Sequence, residues 1–235
     1  MIIVKYIATA VIGYLLGNIS LGVLVAQAFG VRDIRKHGSG NSGSTNVLRT
    51  LGWLPGVMTL VGDCLKGLAA CALGKWLCGI PGMLLGGVFA VIGHDYPVFF
   101  GFKGGKGIAT SWAMIIAYNP WLGLGHLLLV VAVTAVTGYV SVGSIVCCFA
   151  FPISTAVMFR GQPYYPLYVL AAAVLGLLAV YRHRENIVRL ARGEENKLDF
   201  VRIAKISERV MKRRQRRAEK KEAKRLNKDQ SRKGE

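Results

Sequence analysis

Long apolar blocks are the feature that most constrains this chain. Several stretches of roughly twenty residues carry almost no charge, and that is the length an α-helix needs to cross the hydrocarbon core of a bilayer. Hydrophobic residues make up 53% of the 235 residues, and the mean hydropathy is +0.42. Because only helices and closed barrels satisfy their backbone groups in lipid, the blocks predict an all-α integral membrane protein.

Seven blocks are predicted to be transmembrane helices: 3–28, 53–73, 80–100, 108–119, 121–138, 143–160 and 165–182. The first is interpreted as a retained span and not as a cleaved signal peptide, since no polar mature domain follows it. The fourth is too short for a straight span and ends at a turn signal, Asn119-Pro120, so the fourth and fifth could instead form one re-entrant or tilted unit.

The basic residues predict the orientation, because short cytoplasmic loops carry an excess of Lys and Arg. Residues 202–235 hold fifteen Lys and Arg against five Asp and Glu, so this end is predicted to be cytoplasmic and seven spans put the N-terminus outside. The same count puts loops 31–52 and 101–107 inside, and both are basic. The outer turns have only Lys75 and Arg160 in or beside them.

Three chemically unusual stretches then fall on one side of the membrane. The first, HGSGNSGSTNVLRT at 37–50, combines glycines, which let backbone N–H groups approach a ligand, with small polar side chains and Arg49. The second, GHDYPVFFGFKGGKGIAT at 93–110, has Lys103 and Lys106 on a glycine-rich turn that leads into a helix. The third is the predicted loop GYVSVGS at 138–144. Together they indicate recognition of a phosphate without a nucleotide-binding motif.

Each feature also has a plainer interpretation. Glycines in membrane proteins often permit close helix packing, and loop lysines often serve only to fix topology. His94 could be a general base or a helix-end histidine that donates to a carbonyl. Asp63 and Lys66, at i and i+3 within the second span, are interpreted as an internal ion pair that orients the loop. The arginines of 181–196 are interpreted as anchors at the membrane surface. The five cysteines have no metal-ligand spacing, and we expect reduced packing residues.

The stretches GSGNSGSTNVLR, GHDYPVFFGFKGGKGIAT, YVSVGSI and HRENIVRLARGEE together resemble the bacterial acyl-phosphate:glycerol-3-phosphate acyltransferase family, PlsY. The resemblance covers residues 5–196, with Ser42 and Ser44 where the family more often has proline and alanine. It implies a seven-helix inner-membrane enzyme, active on the cytoplasmic side, that transfers a fatty acyl group from acyl phosphate to the 1-hydroxyl of sn-glycerol 3-phosphate. The implied products are lysophosphatidic acid and inorganic phosphate, with no metal or other cofactor.

The resemblance also implies the site residues. The catalytic candidates are Ser39, His94, Lys106, Ser141 and Asn186. The candidates for binding phosphate or glycerol are Asn41, Thr45, Arg49, Lys103, Gly104, Gly105 and Ser144. Whether Ser141 or Ser144 faces the site stays open. So does the acceptor of the hydroxyl proton, which is either the substrate's own phosphate, with a second pKa near about 6, or His94.

The C-terminal segment is predicted to be separate from the membrane domain. Residues 1–199 are expected to form the acyltransferase, and 200–235 a basic cytoplasmic tail that is either a solvated helix or disordered. Contact between this tail and anionic lipid is an expected interaction, and nucleic acid is not an expected partner. A small anion transporter is the rival function, disfavoured because the polar stretches lie at one surface and no internal repeat is visible. A structural scaffold is the third alternative.

Overall fold

The computed structural model describes residues 1–233 and is all-helical over that range. Two short 3-10 turns, Ile34–Lys36 and Val98–Phe100, lie between the α-helices. The α-helices are α1 (Ile2–Gly17), α2 (Leu21–Ala28), α3 (Ser44–Leu51), α4 (Trp53–Asp95), α5 (Ile108–Tyr118), α6 (Pro120–Thr137), α7 (Val140–Met158), α8 (Tyr165–Arg182), α9 (Arg184–Ala191) and α10 (Phe200–Lys233).

Within residues 1–233, five segments are long and apolar enough to cross a membrane. They are Ile2–Ala28, Trp53–Phe100, Pro120–Thr137, Val140–Met158 and Tyr165–Arg182. Helix α5 is as apolar but has only 11 residues. The outer surfaces of these helices are covered with large exposed apolar side chains, which is the composition of a surface that faces lipid.

Helix α4 is two antiparallel arms joined by a sharp break. The backbone leaves helical geometry at Cys78 and Gly79, where Gly79 has a φ of +63°. A Cβ added at Gly86 would lie 2.5 Å from the carbonyl oxygen of Ala70, so the two arms pack backbone to backbone. Close approach through small residues is how helices associate in lipid, where no hydrophobic effect drives them together.

Several predicted span boundaries are corrected by the structure. The first predicted span is interrupted at 18–20, between α1 and α2. The predicted outer loop 74–79 is helical apart from the two residues of the break. The third span ends at Asp95 and not at residue 100, so the connection to α5 is longer than expected. The predicted blocks 108–119 and 121–138 agree within a residue or so with two separate helices, α5 and α6, which have Asn119 between them.

The stretch 138–144 is also not a loop. Gly138 ends α6 and α7 begins at Val140, so Ser141 and Ser144 lie in the first turns of a helix. Part of this predicted cytoplasmic loop is therefore the N-terminus of a helix. The same holds for the first unusual stretch, in which residues 44–50 belong to α3.

The C-terminal segment forms the helix α10 over residues 200–233, and residues 234–235 of the predicted tail lie outside the described residues. The start of α10 is not solvated on all sides. Ile203 is buried, the ring of Phe200 stacks on that of Trp53, and the Arg214 guanidinium lies over the ring of Phe29. The beginning of the predicted tail is therefore packed against the helical bundle.

Candidate active site

A cavity of about 840 Å³ opens at the end of the bundle where α3, the start of α7 and the end of α8 meet. We call this end of the bundle the site end. The cavity is polar there and mainly apolar further in. Polar lining residues include Ser39, Asn41, Thr45, Arg49, Lys106, Ser141, Ser144, His183, Asn186 and Glu195. Apolar ones include Leu60, Ile115, Leu127, Val131, Phe151 and Leu175.

The first unusual stretch is folded around the side chain of Asn46. Its amide nitrogen donates to the carbonyl oxygens of Asn41 (2.7 Å) and His37 (2.9 Å), and its oxygen accepts from the backbone N–H of Ser39 (2.9 Å). These bonds hold the turn without using the hydroxyl groups of Ser39 and Thr45, which both line the cavity. The turn therefore presents hydroxyl groups and the N-terminus of α3 to a ligand.

Arg49 lies in the last turn of α3 and is half-buried at the cavity. One terminal nitrogen of its guanidinium donates to the carbonyl oxygen of Asn196 at 2.8 Å, while Nε is buried with no partner in the described part of the chain. Burial lowers the pKa of Arg49 from its usual value, but a guanidinium stays charged at any physiological pH. Arg49 thus supplies a permanent positive charge, and some of its N–H donors have no partner among the described residues.

Lys106 is held by a network that crosses from the turn before α5 to α9. Its ammonium donates to the side-chain oxygen of Asn186, and the nitrogen of Asn186 donates to Glu195 at 2.9 Å. The same carboxylate accepts from Ser141 at 3.2 Å and from Arg189 at 2.8 Å. Burial lowers the pKa of Lys106 to about 8, and the nearby Arg189 acts in the same direction. Lys106 is therefore mostly protonated at neutral pH.

His183 follows α8 and lines the cavity beside this network. Burial lowers its pKa to about 4, with a further contribution from Lys106, so the ring is neutral at neutral pH. Its Nδ1 lies 2.7 Å from the carbonyl oxygen of Ala179. A carbonyl can only accept, so Nδ1 carries the proton and Nε2 is an acceptor suited to a substrate hydroxyl.

His94 lies in a more enclosed group of charged residues. Its Nδ1 is 2.8 Å from the ammonium of Lys66 and 3.3 Å from a carboxylate oxygen of Asp63. Lys66 also pairs with Asp63 at 2.9 Å and donates to the carbonyl oxygens of Gly17 and Ile19. Both His94 and Asp63 touch the cavity, yet their polar atoms are directed to one another.

Three predicted binding residues do not line the cavity. Lys103 is exposed, and the backbone N–H groups of Gly104 and Gly105 donate to the carbonyl oxygens of Asp95 (3.3 Å) and His94 (3.0 Å). Their own carbonyl oxygens accept from the Arg182 guanidinium. This glycine turn is therefore a packing element that sets the position of Lys106, and Lys103, Gly104 and Gly105 do not belong to the proposed site.

Glycines are required in this turn because the neighbouring atoms leave no room for a Cβ. Gly107, which precedes α5, has a φ of +71°, and a Cβ there would lie 2.6 Å from a methyl carbon of Val91. The expectation for Arg182 is also corrected. It was interpreted as a surface anchor, but its side chain donates to Gly105 and lies over the ring of Tyr96, tying α8 to this turn.

Two residues of the site were not selected from the sequence, Glu195 and His183. Both lie inside the stretch HRENIVRLARGEE. The available signal for Glu195 is its charge, since it is one of only 12 acidic residues in the chain. Its burial and three hydrogen-bond donors make it the central acceptor of the network. In the described part of the chain, no group of three or more His, Cys, Asp or Glu could hold a metal ion.

Comparisons with known proteins all identify the same family. The family model described as glycerol-3-phosphate acyltransferase matches residues 7–193. A glycerol-3-phosphate acyltransferase of Geobacter sulfurreducens is 44% identical over 194 residues, which cover 82% of this chain and 97% of that protein. A glycerol-3-phosphate acyltransferase of Clostridioides difficile is 44% identical over 202 residues, which cover 83% of this chain and 97% of that protein.

Solved structures agree with the sequence matches. The crystal structure of PlsY, an integral membrane glycerol 3-phosphate acyltransferase, in its glycerol 3-phosphate form has a TM-score of 0.77 and 38% identity to this chain. The match covers 85% of this chain and 98% of that one. The lysophosphatidic acid form of PlsY matches with a TM-score of 0.75 and 37% identity over the same shares of the two chains.

Proposed function

Because the chain belongs to the glycerol-3-phosphate acyltransferase family, we propose that it transfers a fatty acyl group from an acyl phosphate to the 1-hydroxyl of sn-glycerol 3-phosphate. The products are lysophosphatidic acid and inorganic phosphate. The observation that carries this proposal is the two-part cavity: cations and hydroxyl groups at one end, and mainly apolar side chains along the rest. Both proposed substrates have a phosphate, and one of them also has a long alkyl chain.

The cations and hydroxyl groups divide between the two phosphates and the glycerol. Arg49 suits the phosphate of glycerol 3-phosphate, since its planar fork has unused donors beside the N-terminus of α3. Ser39 and Asn41 of the preceding turn and Thr45 of α3 are the neighbouring donors. Lys106, positioned by Asn186, is proposed to neutralise the phosphate of the acyl donor. His183 is proposed to accept a hydrogen bond from the glycerol.

The chemical step needs little activation by the enzyme, because phosphate is already a good leaving group. The glycerol oxygen forms a bond to the acyl carbon, and the bond between that carbon and the phosphate oxygen breaks. The charge that develops on the phosphate is stabilised by Lys106, and the two substrates are aligned by the donors around them. Positioning and electrostatic stabilisation of this kind account for large accelerations in enzymes generally.

We propose that the hydroxyl proton passes to the departing phosphate. The surroundings of His94 favour this over a role for that ring as the base: Nδ1 is within contact distance of Lys66 and Asp63, and Nε2 is packed against Gly105. His94 then acts with Asp63 and Lys66 to hold the loop. Retention of turnover in His94→Gln is expected, provided that the variant folds.

The membrane arrangement is part of the proposal. The two arms of α4, the pair α1 and α2, and the helices α5 to α8 correspond to seven spans. The basic segments around 31–52 and after 182 favour a cytoplasmic site end, with the N-terminus outside and the protein in the bacterial inner membrane. The exposed basic side chains of α10 are proposed to contact anionic lipid of the same leaflet, at roughly 1 kcal/mol for each charge near the surface.

The test uses the purified full-length protein in detergent or lipid, with palmitoyl phosphate and glycerol 3-phosphate, and follows released inorganic phosphate. Release that requires both substrates, with lysophosphatidic acid formed in equal amount, is expected. Palmitoyl coenzyme A is supplied in a parallel reaction. Acylation from that donor and none from palmitoyl phosphate would contradict the proposed donor while leaving the family activity intact.

A further inference from the structure

Residues 196–207, which join α9 to α10 and include the first turns of α10, cross the site end of the cavity. We call this segment the strap. It lies wholly beyond residue 193, where the match to the family ends. Two of its side chains, Leu198 and Phe200, line the cavity. The strap therefore contributes to the wall of the site, although its residues from 200 onward belong to the segment that is predicted to be a separate tail.

One end of the strap is fixed to the start of α7. The backbone N–H of Leu198 donates to the carbonyl oxygen of Gly138 at 2.8 Å, and the Lys197 ammonium lies 5.5 Å from the ring centre of Tyr139. Arg49 adds a third attachment through the carbonyl oxygen of Asn196. The proposed phosphate-binding arginine is thus bonded directly to the strap.

The other end of the strap is fixed to the start of α4. The rings of Phe200 and Trp53 stack with centres 5.9 Å apart, and the hydroxyl of Ser207 accepts from the backbone N–H of Trp53 at 3.0 Å. Ile203 is 2% exposed. Gly52 has a φ of +92°, and a Cβ there would lie 2.7 Å from the Cα of Ser207, so the turn before α4 is shaped for close contact with α10.

Between these two ends the cavity is lined by accessible apolar side chains of two helices. Val57 and Leu60 of α4, and Leu127 and Val131 of α6, all line the cavity and are each between 38% and 55% exposed. We call this accessible apolar surface of α4 and α6 the opening. The strap runs from α7 to α4 across the site end of this opening.

We propose that the strap determines how the acyl substrate is held, with Leu198 and Phe200 packing against the part of the acyl chain nearest its carbonyl group. The inference rests on the proposed function, because it assumes that the apolar part of the cavity takes an acyl chain. Stacking against Trp53 fixes the Phe200 ring beside the opening, so the ring is a positioning group that contributes no charge or proton. The glycerol phosphate lies among polar side chains and does not depend on it.

The experiment compares Phe200→Ala with Val201→Ala in the full-length protein, and measures kcat and the two KM values with palmitoyl phosphate and glycerol 3-phosphate. Val201 is the matched control, since it is the next residue of the same helix, is 66% exposed and does not line the cavity. Phe200→Ala is expected to raise the KM for palmitoyl phosphate about tenfold, the usual effect of removing an apolar contact from a binding pocket. The KM for glycerol 3-phosphate is expected to stay within about twofold.

Phe200→Tyr, which keeps the ring and its stacking on Trp53, is expected to restore the KM for palmitoyl phosphate. Kinetics of Phe200→Ala that match those of Val201→Ala would overturn the inference. So would an equal rise in both KM values, because that result indicates a general loosening of the site. Absence of wild-type turnover with palmitoyl phosphate would instead contradict the proposed function, and the unmutated protein is therefore assayed first.

Discussion

Two groups of buried charged residues lie close together in this protein, and they differ in how their hydrogen-bonding capacity is used. The first, which we call the closed cluster, is formed by Asp63, Lys66 and His94. Lys66 pairs with Asp63, contacts His94, and donates to two backbone carbonyl oxygens of the break between α1 and α2. All three donors of its ammonium are directed at protein atoms.

The second group, the open cluster, is formed by Arg49, Lys106, Asn186 and Glu195. Among the described residues, Lys106 has one hydrogen-bond partner, the side chain of Asn186, and Arg49 has one, the carbonyl oxygen of Asn196. Both cations line the cavity with donors left over. Glu195 is fully engaged, but its role is to hold Asn186 and Ser141 in place.

The comparison teaches that burial of charge does not by itself mark a substrate site. A lysine in a membrane span is costly unless it is paired, and the closed cluster meets that cost with partners from three segments of the chain. The cations of the open cluster have hydrogen-bond donors without a protein partner among the described residues. Such an arrangement is favourable only where a bound anion accepts those hydrogen bonds. Substitutions in the two clusters should therefore have effects of different kinds.

The largest expected effect is on stability, from Lys66→Met. Removal of the cation leaves Asp63 buried without its ion partner, at a cost of about 3–5 kcal/mol. Thermal unfolding in detergent measures the loss. The control is Asp33→Asn, which breaks a partly exposed pair with Arg35 worth roughly 0–1 kcal/mol. If Lys66→Met unfolded at the wild-type temperature and lost only turnover, Lys66 would belong with the open cluster.

A loss of activity without a loss of stability is expected from Lys106→Met. The variant lacks the charge proposed to stabilise the leaving phosphate, so kcat/KM should fall roughly 10²–10³-fold, while the thermal unfolding temperature changes little. Lys103→Met is the matched control, being three residues away, exposed and outside the cavity lining. Its kcat/KM is expected to stay within about twofold. Equal losses in the two variants would show that both lysines act through the general charge of the turn.

The contrast between the clusters also marks what the sequence could reveal. The helical membrane fold was predictable because apolar blocks of span length have few other solutions. The basic, glycine-rich stretches were identifiable by their composition, and Asp63 and Lys66 were expected to pair. The sequence could not reveal which hydrogen-bond donors already have a partner within the protein, because those partners are often backbone carbonyl groups. The N–H groups of Gly104 and Gly105, for example, donate to the carbonyl oxygens of Asp95 and His94. The packing of the C-terminal segment against the bundle was not predictable either, because Phe200 and Ile203 are among only a few apolar residues in a strongly basic segment.

A smaller effect is expected from pH, and it should appear only in the open cluster. Burial lowers the pKa of Lys106 to about 8, so its protonated fraction falls about tenfold for each pH unit well above 8. Because the protonated form binds phosphate, kcat/KM should decline on raising the pH from 7.5 to 9.5. The phosphate of glycerol 3-phosphate has a second pKa of about 6 and is already a dianion across this range. Lys106→Arg should remove the decline, and an unchanged profile in that variant would assign the decline to another group.

The smallest expected effect separates Ser144 from Ser141. The hydroxyl of Ser141 donates to Glu195 at 3.2 Å, whereas the hydroxyl of Ser144 has no hydrogen-bond partner among the described side chains although it lines the cavity. Ser144 therefore has the hydroxyl available to a substrate. Ser144→Ala should raise the KM for glycerol 3-phosphate about fivefold, as expected for one hydrogen bond of about 1 kcal/mol. Ser141→Ala leaves Glu195 bonded to Asn186 and Arg189, so a larger rise in Ser141→Ala would reverse the assignment.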